Sequence, residues 1–312
     1  MDQAHALRKL VREQAEAQFV SSGPRVITIT SGKGGVGKTN FAANLAIHLG
    51  RRGSRVVILD ADFGLANIEV LFGILPVYCL ADVLSGEKFI DEVLTDGPCG
   101  VKFVSAGSGF KELANVGERQ MTHLLENLSR LDKLADIIII DTSAGISRTV
   151  VKFVMAADET ILITTPEPTS ITDAYALVKM VREESKLSGN MAEIKIVVNR
   201  TEEKNEGTEV YTRLRKVAER FLNLNLDYLG SLPQDTQLVK AVKKQQPVTL
   251  YAEDSPYSKA MVTVAEKLLI VPGRNSSVDS SAEIEISDKF QKPSERQGFR
   301  GFVKKFTGIF RS

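Results

Sequence analysis

The feature that most constrains this chain is a glycine-rich octapeptide placed between two kinds of periodicity. Val26-Ile27-Thr28-Ile29-Thr30 reads as an apolar strand, and Phe41, Leu45, Ile47 and Leu49 recur at helical spacing. Between them stands Gly32-Lys33-Gly34-Gly35-Val36-Gly37-Lys38-Thr39, which satisfies G-x-x-x-x-G-K-[ST] in the strand–loop–helix context that this motif requires. Glycines let backbone N–H groups turn inward and approach phosphates closely, and the following helix N-terminus adds partial positive charge. The loop is therefore predicted to hold a nucleoside triphosphate, ATP with Mg²⁺. Lys38 is expected to reach the β- and γ-phosphates, and the Thr39 hydroxyl to ligate Mg²⁺. Asn40 continues the binding segment.

The same alternation runs on. Strand patterns recur at 56–59, 101–104, 137–140, 160–163, 194–198 and 226–230, several of them apolar on both faces. Helical patterns lie at about 38–52, 118–133, 147–157, 170–187 and 208–221. Such alternation predicts an α/β fold with a doubly wound, mostly parallel sheet covered by helices on both faces. Ligands of such sheets sit beyond the strand C-termini. Asp60-Ala61-Asp62 and Asp141-Thr142-Ser143-Ala144-Gly145 both close apolar strands there. Asn199-Arg200 ends another strand, and Pro233-Gln234-Asp235 follows the last.

Composition fits a globular core: 43% hydrophobic, 25% charged and a net charge of +1. That charge argues against nucleic-acid binding by bulk attraction, though not against a local basic patch. Cys79 and Cys99 have neither disulfide nor metal spacing, and His5, His48 and His123 are scattered, which fits a reducing cytoplasmic setting without a zinc site. No apolar run reaches the ~18 residues of a membrane span, and the polar start is not a secretory signal.

Lys33 narrows the reading. Lys-Gly-Gly-Val-Gly-Lys-Thr resembles the deviant phosphate loop of the MinD/ParA/nitrogenase-iron-protein class, and the resemblance extends from about Arg25 to Ile270. It implies a slow, dimer-dependent ATPase in which Lys33 reaches across a homodimer to the partner copy's nucleotide. By the same resemblance, Asp60 lies near Mg²⁺, Asp62 positions the attacking water, and Asp141 holds the metal through water. Gly64, Leu65, Ala66 and Asn67 form a first switch, and the Gly145 N–H approaches the γ-phosphate in a second. Asn199, Arg200, Pro233 and Asp235 fall where the class contacts adenine, Asn199 through its amide. Ser143 replaces the usual proline. The cluster cysteines of the nitrogenase-type members have no match here.

Four segments are expected: a leader at 1–22, the ATPase domain at 23–271, a linker at 272–297 and a helix at 298–312. The linker reading rests on five serines and four acids against one base within 272–288. The last 24 residues carry seven basic residues against one acid. Phe299, Phe302, Val303, Phe306, Ile309 and Phe310 share one helical face opposite the basic residues, the pattern of an interfacial helix on anionic lipid. MinD-like proteins resemble this chain in carrying such a helix. The alternative is a helix docked on the domain or on a partner. In the leader, Asp2-Gln3-Ala4-His5-Ala6-Leu7-Arg8 resembles the D-Q-A-x-x-L-R motif of the flagellar-number-regulator branch, FlhG (FleN or YlxH). That branch stimulates the signal-recognition-type GTPase FlhF, which implies partner contacts by Asp2, Gln3, Ala4, Leu7 and Arg8, with Gln3 entering the partner's site. Flagellar C-ring proteins are further partners by family analogy. The expected location is cytoplasmic, peripheral on the inner face of the cell membrane. A MinD-type division-site regulator and a ParA-like DNA-binding ATPase remain the alternatives.

Overall fold

The computed structural model describes residues 23–62, 67–107, 123–124, 126–189, 192–269 and 298–308. The leader residues Asp2, Gln3, Ala4, Leu7 and Arg8, the switch residues 64–66, the linker 272–297, and Ile309 and Phe310 lie outside them.

Among the described residues, eight strands make one sheet: β1 (Arg25–Thr30), β2 (Val56–Ala61), β3 (Thr95–Asp96), β4 (Lys102–Val104), β5 (Ile137–Thr142), β6 (Glu159–Thr164), β7 (Ile194–Thr201) and β8 (Asp227–Pro233). Their spatial order is β3-β4-β2-β5-β1-β6-β7-β8, and only the β3–β4 edge pair is antiparallel. The doubly wound prediction holds. β3 escapes sequence reading because two residues carry no period.

The helices used below are α1 (Lys38–Arg51), α2 (Leu131–Leu134), α3 (Arg148–Ala156), α4 (Pro168–Ser188), α5 (Glu206–Leu222), α6 (Thr236–Lys243), α7 (Val248–Tyr251), α8 (Pro256–Leu269) and α9 (Gly298–Gly308). Strand alternation sorts them into layers. Ile27, Ile29, Ile139, Ile161 and Val197 face α1 and α8. Val26, Ile138 and Ile140 face the opposite way, onto a cluster that includes Phe153 of α3. Both faces are apolar because both are covered. α8 repeats apolar residues at Tyr257, Met261, Val264, Ala265 and Leu268, all buried. That helical period was legible in the sequence, although α8 was not among the expected helices.

The C-terminal helix is docked on this core. Phe299 is 1% exposed, and Phe302 and Val303 are also buried. The Phe153 ring lies 4.6 Å from that of Phe306 and 6.2 Å from that of Phe302. Of the two readings of the amphipathic face, this conformation realises the docked one for Phe299, Phe302 and Val303. The reason is that α3 and the sheet leave an apolar groove that those side chains fill.

A polar link ties α1 to α7. Asn44 Oδ1 accepts from Thr249 N at 2.9 Å and from Thr249 Oγ1 at 2.7 Å, and His48 Nε2 lies 3.3 Å from the same hydroxyl. Burial lowers the His48 pKa to about 4, with repulsion from Arg52 and Arg51 adding to it. The unfolded chain therefore binds a proton at His48 below about pH 6.5 that the folded chain refuses until about pH 4. Stability from this group falls as pH drops through that window, by up to about 1.4 kcal/mol per unit. Denaturant titrations at pH 7 and pH 5 should show a shallower acid loss for His48→Gln than for the parent chain.

Candidate functional site

Register builds the site. Asp60 of β2 pairs with Asp141 of β5, and Asp141 pairs with Ile29 of β1. Three strands thus end at one level, and the two carboxylates meet the loop that leaves β1. The loop turns on Ser31, whose Oγ donates to Lys33 O at 2.7 Å. It closes into α1 through Phe41 N to Gly37 O at 3.0 Å. Gly37 has φ +99°, and a Cβ there would fall 2.5 Å from Asn199 Nδ2. Only glycine meets both conditions.

Lys38 is buried, and burial lowers its pKa against the pull of Asp141 and Asp62. Asp141 is 0% exposed. Among the described residues, neither of its carboxylate oxygens has a hydrogen-bond partner of ordinary geometry, although Thr39 and Lys38 stand beside it. Burial, then the Asp60 charge, pushes its pKa up to about 7. A buried carboxylate without a partner is costly unless a cation completes it. Asp141 and the Thr39 hydroxyl therefore fit a hard, oxygen-seeking ion such as Mg²⁺.

Asp60 differs. Its Oδ1 accepts from Asp62 N at 3.1 Å, and its Oδ2 accepts from Asn67 N at 3.0 Å and Ile68 N at 3.3 Å. Burial raises its pKa to about 6 in spite of those donors. It holds the start of the helix at Ile68–Phe72. Asn67 Nδ2 reaches Asp62 Oδ2 at 3.4 Å, and Asp62 is near enough to Lys38 for their charges to interact. Gly145 N donates to Ser31 O at 2.9 Å, joining the second switch to the loop.

The residues expected at adenine also make contacts within the domain. Asn199 is 2% exposed and its Nδ2 donates to Val36 O at 2.7 Å, while Arg200 Nη2 donates to Gly35 O at 2.6 Å. Asn199 Oδ1 accepts from Arg200 N at 2.9 Å. Both act as struts under the phosphate loop. Asp235 caps α6 through Gln237 N at 2.8 Å and accepts from Tyr257 N at 3.1 Å, and Pro233 pairs with Thr201 at the β7–β8 edge. These two side chains serve the frame that carries the crevice. Asn40 Oδ1 is buried without a partner among the described residues.

Lys33 lies on the rim. Its Nζ donates to Glu167 Oε2 at 2.7 Å and to Thr169 Oγ1 at 2.8 Å. Sequence reading missed this pair. Its signal was a carboxylate before proline at the end of the β6 pattern, Glu167-Pro168. Cys79 and Cys99 are free thiols.

Residues 23–269 match the family model described as ParA, NUBPL iron-transfer P-loop NTPase. The antiactivator FleN of Pseudomonas aeruginosa is 42% identical over 244 residues, covering 78% of this chain and 86% of that protein. The flagellum site-determining protein YlxH of Helicobacter pylori is 33% identical over 272 residues, covering 86% of this chain and 90% of that protein. The cell division ATPase MinD of Pyrococcus furiosus superposes with a TM-score of 0.64 at 26% identity, over 78% of this chain and 98% of that one.

Substituting Gly37→Ala forces a Cβ into a strained φ and against Asn199. Calorimetric titration should then show at least a tenfold loss of ATP affinity, with the circular dichroism spectrum retained. Unchanged affinity would remove the loop as the phosphate site.

Proposed function

Since the chain belongs to the ParA/MinD family of P-loop NTPases, we propose that it is a Mg²⁺-ATP-dependent, dimerising ATPase switch that regulates the number or placement of flagella. The observation that carries the switch reading is Asp141, buried without a partner beside Lys38 and Thr39 at the foot of the loop. The flagellar assignment rests on the likeness to FleN and YlxH and on the leader motif at Asp2–Arg8.

The chemistry is phosphoryl transfer to water, which depends mostly on positioning and charge. Loop amides and Lys38 hold the phosphates, and Asp62 orients the attacking water. Thr39, and Asp141 through water, would hold Mg²⁺, which would supply positive charge to the phosphates. Lys33 must leave Glu167 and Thr169 to act on a second copy's nucleotide, so turnover is slow until the dimer forms. An iron-transfer role, named for one member of the family, has little support in two cysteines without cluster spacing.

The Phe-rich face meets lipid only after α9 leaves its groove. Burying Phe299, Phe302 and Val303 is worth roughly 5–9 kcal/mol at ~1.5–3 kcal/mol each. Dimerisation and the bilayer together have to offset that, and two helices per dimer supply avidity. Phosphate release then returns the protein to the cytoplasm. The leader, with Gln3 at its centre, stimulates FlhF; C-ring proteins are further candidates.

Lys38→Ala should abolish ATP-dependent dimerisation in analytical ultracentrifugation. Asp62→Ala should instead leave a dimer that persists on anionic vesicles with ATP, and rapid release of that variant would count against its water-orienting role. A peptide of residues 1–20 should raise FlhF turnover, and the same peptide with Gln3→Ala should not. No stimulation by the first peptide would shift the reading to a MinD-type division-site regulator.

A further inference from the structure

The two ends of the domain emerge at one point. Gly23 leads into β1, and Gly298 opens α9. The two glycines pack backbone against backbone: a Cβ on Gly23 would lie 2.6 Å from Gly298 Cα, and one on Gly298 would lie 2.9 Å from Gly23 Cα. Gly298 also has φ +65°, a conformation that other residues rarely adopt. Pro24, which is buried, would be 3.4 Å from a Cβ on Gly298. Docked α9 therefore covers the root of the N-terminal segment.

Asp132 of α2 closes this junction. Its Oδ1 accepts from Phe299 N at 2.7 Å and from Arg300 N at 3.4 Å. These are orphan amides of the first turn of α9, so the helix takes its cap from a residue 167 positions earlier in the chain. The carboxylate also favours the positive end of the helix dipole. A Cβ on Gly23 would lie 3.2 Å from the same oxygen, and one on Gly298 2.8 Å. One oxygen atom thus stands where the C-terminal helix, α2 and the root of the leader meet. Nothing in the ATPase site uses it.

We propose that Asp132, Gly23 and Gly298 form a coupling junction between the two tails. Docked α9 holds the Gly23 backbone against Gly298, and releasing α9 removes that contact at the point where the N-terminal segment joins β1. Its biological consequence rests on the tail roles proposed above: membrane engagement and stimulation of the partner GTPase would change in step. The junction itself is testable without lipid or partner.

The chain contains no tryptophan, so Phe306→Trp in the full-length protein places a single indole against Phe153. In that background, Asp132→Ala and Gly298→Ala are compared with their parent by two readouts. One is acrylamide quenching of the indole, which reports α9 docking. The other is the rate of tryptic cleavage at Arg8, Lys9 and Arg12 of the leader. Thermal melts confirm that each variant is folded; Asp132 is only partly buried, which keeps its variant usable if Gly298→Ala is not. The expected result is that both readouts rise together, by roughly fivefold for Asp132→Ala, the shift that loss of a typical helix cap produces. Asp132→Asn, which keeps an acceptor oxygen but loses the charge, should fall between. A rise in quenching with unchanged leader cleavage overturns the coupling, and no change in either readout overturns the role of Asp132. If both readouts move together while the protein neither binds vesicles nor stimulates a GTPase, the junction stands and the functional reading of the tails falls.

Discussion

Everything at the nucleotide end depends on the parallel register of three strands. Ile29, Asp141 and Asp60 are neighbours across β1, β5 and β2. That alignment brings a glycine loop and two carboxylates together from paired positions that lie 31 to 112 residues apart in the chain, as a parallel sheet with crossover helices does. A one-residue slip of β5 would turn Asp141 to the other face of the sheet and send Ile140 into the crevice. The two apolar layers prevent that slip, since each odd or even set of isoleucines is already committed to its own helices.

The loop is held from several sides as well. Asn199 and Arg200 brace the backbone carbonyls of Val36 and Gly35. Gly145 ties it to the second switch through Ser31, and Glu167 with Thr169 holds the Lys33 side chain. Such bracing keeps the loop's amides oriented for phosphate before any ligand arrives, which lowers the ordering cost of binding. It also links the loop to β7, to the second switch and to α4, three elements that respond if the loop moves. α3 follows the second switch directly and carries Phe153, against which α9 rests. A run of contacts therefore extends from the phosphate loop through Gly145 and α3 to the C-terminal helix.

Legibility in the sequence followed local pattern. The strands were readable because fully buried strands are continuously apolar, and the phosphate loop because glycine spacing has a steric cause. The carboxylates at strand ends were readable as a set, yet their roles were not. Asp60 and Asp141 occupy matching positions, but the backbone amides of Asp62, Asn67 and Ile68 satisfy Asp60, whereas Asp141 receives no such amides and lies beside Lys38 and Thr39. The hydrogen bonds of Asn199 and Asp235 were likewise not legible in the sequence. Asn199 turned under the loop, and Asp235 became a helix cap. Side-chain direction at the end of a strand depends on which donors the neighbouring chain brings, and those come from distant residues.

The sequence by itself determined the alternating architecture, the phosphate loop with its extra lysine, and the amphipathic face of the last helix. Periodicity and glycine sterics act over a few residues, so they are written locally. Tertiary structure decided where that last face goes. Amphipathicity states only that Phe299, Phe302 and Val303 leave water, and either a bilayer or a protein groove satisfies that demand. The groove beside Phe153, the distant cap from Asp132 and the close approach of Gly23 to Gly298 exist only once the chain has folded. Those contacts place the face on the domain in this conformation, because they fill the same apolar surface that lipid would otherwise cover.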